Sequence, residues 1–198
     1  MSSKLFDYAS GHSQVFDQNG AYLPGRLPKT GYQVVETFQT DATKPVEYGE
    51  VVKISATDAK KVVPIEAGDA AADVYGVVVR TYNQISNATY ASGVNQFVYQ
   101  PAPGQAVSVM RKGWIAIPVQ KGTPAVGTTL TVRIALATPD TGLPIGGIEA
   151  GDAVALETVA VTGMRFVSGP GFPMKSVVVE NVGNGTGQTA IIAIDFAL

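Results

Sequence analysis

Short apolar runs separated by Gly- and Pro-rich turns make up most of the chain. Within residues 128–133, hydroxyl or charged side chains alternate with apolar ones, which is typical of a strand with one buried face. Asn184 and Gly185, between the apolar runs 175–180 and 188–196, are a strong signal for a type I′ hairpin. No window of about 11 residues or more carries a helical stripe. The sequence therefore predicts an all-β fold, a compact barrel or sandwich of short antiparallel strands.

The first 31 residues differ from the rest, because neither a strand period nor a helical period holds there for long. Several glycines and two prolines separate large apolar side chains in this segment. Disordered segments are poor in aromatic residues, so the aromatics argue against a purely disordered tail, which is the alternative. We interpret residues 1–31 as an extended N-terminal arm and residues 32–198 as the β domain. The candidate assembly-interface residues are Leu5, Phe6, Tyr8, Phe16 and Tyr22.

One six-residue sequence, Ile-Glu-Ala-Gly-Asp-Ala, occurs twice, at 65–70 and at 148–153. Each copy follows a strand-like run that begins with glycine. The echo indicates two related β units within one domain, spanning 49–80 and 127–168. The alternative is coincidence in a chain rich in Gly and Ala, and either way Gly-Asp is favourable turn chemistry.

Composition limits the kind of protein this is. A length of 198 residues suits one domain, and the absence of cysteine excludes disulfides, thiolate zinc sites and a cysteine nucleophile. Charged residues are only 15% and the net charge is −2, with no basic stripe of the kind a nucleic-acid binder carries. No apolar run approaches the ~20 residues of a membrane span. We expect a protein made in the cytoplasm that associates with other proteins, and not with nucleic acid or membrane.

Two motifs resemble catalytic ones but lack the context that catalysis requires. Asp140, Thr141 and Gly142 match the aspartic-protease triplet, whose chemistry needs two carboxylates sharing a proton. Here Pro139 precedes the triplet, which has the composition of a turn. His12 is the only histidine, and a Gly-rich arm gives no rigid support for a general base. We expect no catalytic residue.

Ligand and metal sites are also poorly supported. The glycine-rich residues 183–187 precede a strand, whereas phosphate-binding loops lead into a helix. Calcium takes six to eight oxygen ligands, and the pairs Glu66/Asp69 and Glu149/Asp152 each offer few. We therefore expect no cofactor and no metal. The alternative function is a non-enzymatic β-sandwich binding module, either carbohydrate-binding or part of a fibre. Its aromatic platform would be built from Tyr82, Tyr90, Phe97 and Tyr99.

The order of several runs resembles the structural cement, or head decoration, proteins of tailed bacteriophages. The resemblance covers residues 45–198 and rests on runs 75–80, 107–119, 161–168 and 190–196. It implies a β-rich virion protein on the outer capsid surface, where it stabilises the shell at capsomer junctions. It also implies the major capsid protein and further copies of the chain as partners, with a homotrimer favoured over a dimer. The missing basic stripe fits the outside of a shell, and the arm is long enough to reach a neighbouring subunit.

Overall fold

A computed structural model describes residues 25, 32–80, 101, 103–136, 143–167, 179–182 and 185–196. Within these residues the chain forms strands and one turn of 3-10 helix, Ala71–Asp73, and no α-helix. The predicted all-β fold is confirmed. Of the predicted arm, only Gly25 falls within the described residues. The strands are β1 (Val34–Thr40), β2 (Val51–Ile54), β3 (Lys61–Pro64), β4 (Gly76–Val79), β5 (Ala106–Val119), β6 (Leu130–Arg133), β7 (Ile148–Ala150), β8 (Thr158–Ala160), β9 (Met164–Phe166), β10 (Val179–Val182) and β11 (Gly185–Asp195).

Five strands close into a small barrel. The order is β1-β3-β2-β4-β5, and the antiparallel pairing of β1 with β5 completes the ring. Every pairing in the barrel is antiparallel except β1 with β3, which run parallel. Of the two architectures that the sequence predicts, the barrel is the one observed.

β5 is the strand that links the barrel to the rest of the fold. Its first half pairs with β1 and β4, and its second half pairs with β11, which also carries β9 and β10. The pairing partner of β5 changes at Lys112, which pairs with both Val34 of β1 and Asp195 of β11. The next residue, Gly113, has φ +135°, which an L side chain rarely adopts. Glycine at this position therefore lets one strand serve two parts of the fold.

β4 is buried on both faces because it separates two hydrophobic cores. Val78 belongs to the core inside the barrel, which receives side chains from β2, β3, β4 and β5, with Phe38 of β1 packed against it. Val77 and Val79 belong to a second core, which they share with Leu130 and other residues outside the barrel. A strand buried on both faces has a continuous apolar sequence, as this Val-Val-Val run does.

A three-stranded antiparallel sheet, β7-β6-β8, packs against the outer wall of the barrel and covers the second core. Within it, Arg133 of β6 and Glu149 of β7 form an ion pair whose side chains are 1% and 9% exposed. The two copies of the repeated sequence lie in different settings. Residues 65–70 form a turn after β3, whereas 148–150 are strand β7. The relation of the two β units stays a prediction.

Candidate assembly surface

The five arm residues predicted as interface candidates, Leu5, Phe6, Tyr8, Phe16 and Tyr22, lie outside the described residues. Their role in assembly stays a prediction. Also outside the described residues are His12, the triplet that begins at Asp140 and the four aromatics of the alternative binding platform. The described residues nevertheless contribute three features that bear on assembly: a fixed backbone position at Gly25, an exposed apolar patch and an open strand edge.

Gly25 is held in place by two backbone hydrogen bonds. Its N–H donates to the carbonyl of Ala116 in β5, and its carbonyl accepts from the N–H of Arg80, both at 2.8 Å. Gly25 is buried and has φ +76°, and a Cβ there would lie 2.9 Å from the backbone nitrogen of Arg80 and 3.0 Å from that of Gly49. Only glycine fits this close backbone approach without strain. The segment before residue 25 therefore starts from a defined point beside the end of β4.

A polar and aromatic cluster lies against the core inside the barrel, since Phe38 and Tyr75 pack against that core. The Tyr75 hydroxyl donates to Glu36, and the Arg111 guanidinium lies 4.3 Å from the Tyr75 ring centroid. Phe38 meets the same ring edge-on, with 5.3 Å between centroids. Burial and the hydrogen bond to Glu36 raise the pKa of Tyr75, and Arg111 opposes that rise. The raised pKa keeps the tyrosine protonated near neutral pH.

Three exposed apolar side chains, Leu136, Val154 and Leu156, form what we call the loop patch. They are 60%, 47% and 88% exposed. Glu157 connects them: its carbonyl accepts from Ala135 N–H beside Leu136, and its N–H donates to the carbonyl of Val154. Leu156 also has φ +64°, a left-handed conformation that is unfavourable for leucine. The loop patch thus combines exposed apolar surface with local backbone strain.

The loop patch is not among the interface candidates predicted from the sequence. The sequence does contain a signal for the patch, because residues 154–156, Val-Ala-Leu, lie in a turn that follows Gly151 and Asp152. Turns are usually rich in Gly, Asn, Asp and Ser, so large apolar residues there are out of place in a free domain. Apolar residues in turns therefore merit weight as interface candidates.

β1 has an open edge, which we call the β1 edge. From Val34 to Phe38, the pairing among the described residues is with β5 alone, since β3 pairs only with Gln39 and Thr40. Val35 and Thr37 have exposed side chains, and Tyr32, just before the strand, is 75% exposed. An exposed strand edge is a ready template for pairing with another chain.

Comparison with known proteins decides the family. The model of the phage structural cement proteins, described as "Structural cement protein (E217 gp24/Pam3 gp6)", matches residues 13–195. The chain belongs to this cement family. A search of curated proteins finds no match. Among solved structures, a chain from "The capsid of Myoviridae Phage XM1" has a TM-score of 0.57 and 14% identity over 89% of this chain and 91% of that one. At this identity the likeness shows a shared fold.

In this cement-family chain, three of the four acidic residues considered as calcium ligands, Glu66, Asp69 and Glu149, are engaged with cations of the protein itself. The Lys53 ammonium lies 2.9 Å from Glu66 and 2.7 Å from Asp69, and Lys44 also pairs with Glu66. Hydrogen bonds from Lys44 and Lys53 lower the pKa of Glu66 to about 2. Glu149 is bound by Arg133 in the same way.

The described residues contain no group of three or more His, Cys, Asp or Glu side chains placed to hold a metal ion. In the same part of the chain, no helix has the length and apolar character needed to cross a bilayer. Among the described residues of this family member, the loop patch and the β1 edge are the surface features that bear on assembly.

Proposed function

We propose that this chain is a non-enzymatic cement protein of a tailed-phage virion that binds the outer surface of the head where capsomers meet. It contacts the major capsid protein and stabilises the assembled shell. The observation that carries the proposal is the match of the structural cement family over residues 13–195. In this proposal residues 1–31 act as an arm, residues 32–198 form the β domain, and copies associate as homotrimers.

The loop patch supports the proposal because it is unfavourable in the free chain. A leucine in the left-handed region costs roughly 1–2 kcal/mol, and Leu156 gains no burial in return, being 88% exposed. Burying apolar surface against a partner stabilises the complex by about 25 cal/mol per Å². Leu136 and Val154 beside it enlarge the apolar area. The patch is accordingly suited to a contact with the shell.

The arm supplies a second contact. Its apolar residues, including Phe16 and Tyr22, precede the fixed point at Gly25. Two contacts on one molecule bind a shell more tightly than either alone, because the second forms at high effective concentration. A protein that binds only the assembled shell stabilises it by mass action, by about 2.7 kcal/mol per site at a free concentration 100 times its Kd.

The experiment uses heads that lack the protein. The full chain, or a chain lacking residues 1–24 that keeps Gly25, is added to purified heads, and shell disruption is followed by calorimetry. The full chain raises the disruption temperature, and the truncated chain needs a higher concentration for the same effect. Thermal unfolding of the truncated chain in the absence of heads is the folding control, because it shows whether the β domain is intact. A full chain that neither sediments with heads nor changes their disruption temperature rejects the function.

A further inference from the structure

The β1 edge presents backbone hydrogen-bonding groups in a known direction. Thr40 N–H donates to the carbonyl of Gln105 on the β5 side, and Gln39 N–H donates to that of Lys60 on the opposite side. Successive residues of a strand direct their backbone groups to opposite sides. The register shift of β1 lies between Val34 and Val35, so the alternation is unbroken from Val35 onward. The N–H and C=O groups of Val35 and Thr37 therefore point away from β5.

These four backbone groups have no strand partner among the described residues, because β3 pairs only with Gln39 and Thr40. The exposed side chain of Val35, at 39%, adds apolar contact area at this edge. An extended segment lying along the edge would gain backbone hydrogen bonds and side-chain contacts together, which is the usual mode of strand addition. Natural proteins protect open edges with lysine, proline or a covering segment. Residues 34–38, Val-Val-Glu-Thr-Phe, contain neither lysine nor proline.

We propose that the N-terminal segment, residues 1–24, of a second copy of this chain adds as a strand to the β1 edge. The inference rests on the self-association part of the proposed function. It concerns the free protein, so its failure leaves binding to the head untouched. It names both the surface and the segment through which two copies meet.

The length and starting point of the segment favour a second copy as its source. Twenty-four residues precede Gly25 and span up to about 80 Å when extended. A domain of this size has a radius of gyration of about 16 Å, so the segment reaches well beyond its own domain. Gly25 is held beside the end of β4. β4 and β1 both pair with residues 108–110 of β5, so they lie on opposite sides of that strand. The anchor and the edge therefore face different directions.

The sequence of the segment suits strand addition. Phe6 and Tyr8 are two residues apart and so place aromatic rings on one face of an extended strand. Aromatic residues are favoured in strands and pair well across them. Val35 provides an apolar partner at the edge. The segment carries only one lysine and two aspartates, so charge repulsion with the edge is small.

The test measures exchange of the Val35 and Thr37 amides by NMR, in the full chain and in the chain lacking residues 1–24. In the full chain both amides gain protection as protein concentration rises, in parallel with the mass measured by sedimentation. In the truncated chain both exchange rapidly at every concentration. A synthetic peptide of residues 1–24, added to the truncated chain, restores the protection.

Thr37→Pro removes an edge N–H, and Thr37→Val is the matched control that keeps it. Proline is tolerated on a strand edge where the N–H faces outward. Thr37→Pro weakens self-association by about two- to tenfold, as expected for loss of one backbone hydrogen bond, whereas Thr37→Val changes it little. If the proline variant fails to fold, Val35→Lys tests the edge instead, because a lysine on a strand edge opposes pairing. Val126→Lys is its control at another exposed valine.

Four results would overturn the proposal. Protection that does not depend on concentration would mean that a chain covers its own edge. Rapid exchange in the full chain at every concentration would mean that the edge stays open. Protection that appears only when heads are added would mean that the capsid protein pairs with the β1 edge. Equal self-association of Thr37→Pro and Thr37→Val would also contradict it.

Discussion

The guanidinium of Arg133 and the carboxylate of Glu149 form a buried ion pair between β6 and β7, with 2.6 Å from Nε to Oε1 and 2.5 Å from Nη2 to the same oxygen. The pair lies in the sheet that covers the second core. The ion pair links two strands whose pairing no sequence pattern predicts. From the sequence, Glu149 is expected in a surface turn, with a calcium site as the less favoured alternative, and the structure places it in a buried strand instead.

The first prediction concerns this ion pair. Glu149→Ala leaves the Arg133 charge buried without its carboxylate, so we expect the free energy of unfolding to fall by about 3–5 kcal/mol. The double variant Arg133→Met with Glu149→Leu removes both charges and retains much more of the stability, because no buried charge is left without its partner. Urea denaturation of wild type and both variants measures this. Equal losses in the single and double variants would show that packing, not charge pairing, decides stability at this site.

The second prediction concerns the Gly25 anchor. Gly25→Ala adds a Cβ about 3.0 Å from Gly49 N and from Tyr48 Cβ, and 2.9 Å from Arg80 N. Gly104→Ala is the matched control, because Gly104 has a similar φ of +73° and a methyl group there would meet nothing within 4 Å. Both variants carry the conformational strain, and only Gly25→Ala also meets backbone atoms. We expect Gly25→Ala to lose at least about 1 kcal/mol more stability than Gly104→Ala, together with faster exchange of the Arg80 amide. Equal losses would contradict the anchor.

The third prediction concerns pH. Glu50 is partly buried, and burial raises its pKa to about 8. The hydrogen bond from Glu47 N–H opposes the rise, and the charge of Glu47 adds to it. The ordinary value in the unfolded chain is 4.5, so the folded chain holds a proton that the unfolded chain releases. The stabilising contribution of protonated Glu50 is complete below pH 4.5 and is lost as the pH rises to about 8.

Glu50→Gln tests this pH dependence, because glutamine stays neutral and its carbonyl can still accept from Glu47 N–H. We expect the wild-type urea midpoint to fall between about pH 5 and pH 8 relative to that of the variant. Above that range the two curves run parallel. A constant difference between wild type and variant from about pH 5 to about pH 9 would mean that Glu50 titrates near its ordinary pKa.

The fourth prediction separates folding from binding at the loop patch. Leu156→Gly relieves the left-handed strain, so we expect the free domain to become more stable by up to about 1 kcal/mol. The same change removes the most exposed apolar side chain of the patch, so occupancy on heads falls. Val126→Gly is the control, since Val126 is 64% exposed, outside the patch and without a positive φ. It lowers stability and leaves occupancy unchanged. A Leu156→Gly variant that binds heads as well as wild type would remove the patch from the interface.

The elements that could be predicted from the sequence are those whose pattern is local. The Val-Val-Val run of β4 is apolar throughout because both faces are buried, and that signal is visible in the sequence. The apolar pattern divides β5 into two runs, 106–110 and 114–119, separated by Arg111, Lys112 and Gly113. The structure has one strand there, since Arg111 stacks on Tyr75 beside the barrel core and Gly113 permits the local backbone conformation.

The features that the sequence did not predict depend on contacts between distant residues. Closure of the barrel by β1 with β5 joins residues about 70 positions apart, and no local pattern specifies it. The anchoring of Gly25 depends on Arg80 and Ala116, which come together only in the folded chain. The open β1 edge likewise follows from where β3 stops pairing, and this is a property of topology rather than of residues 34–38 themselves.

The most direct test of the cement function is an electron cryomicroscopy reconstruction of purified heads, prepared without this chain and then saturated with it. We expect added density on the outer surface at capsomer junctions. The β barrel and the β7-β6-β8 sheet fit into this density with the loop patch against the shell. Absence of added density, or density on the inner surface or at the tail, would contradict it.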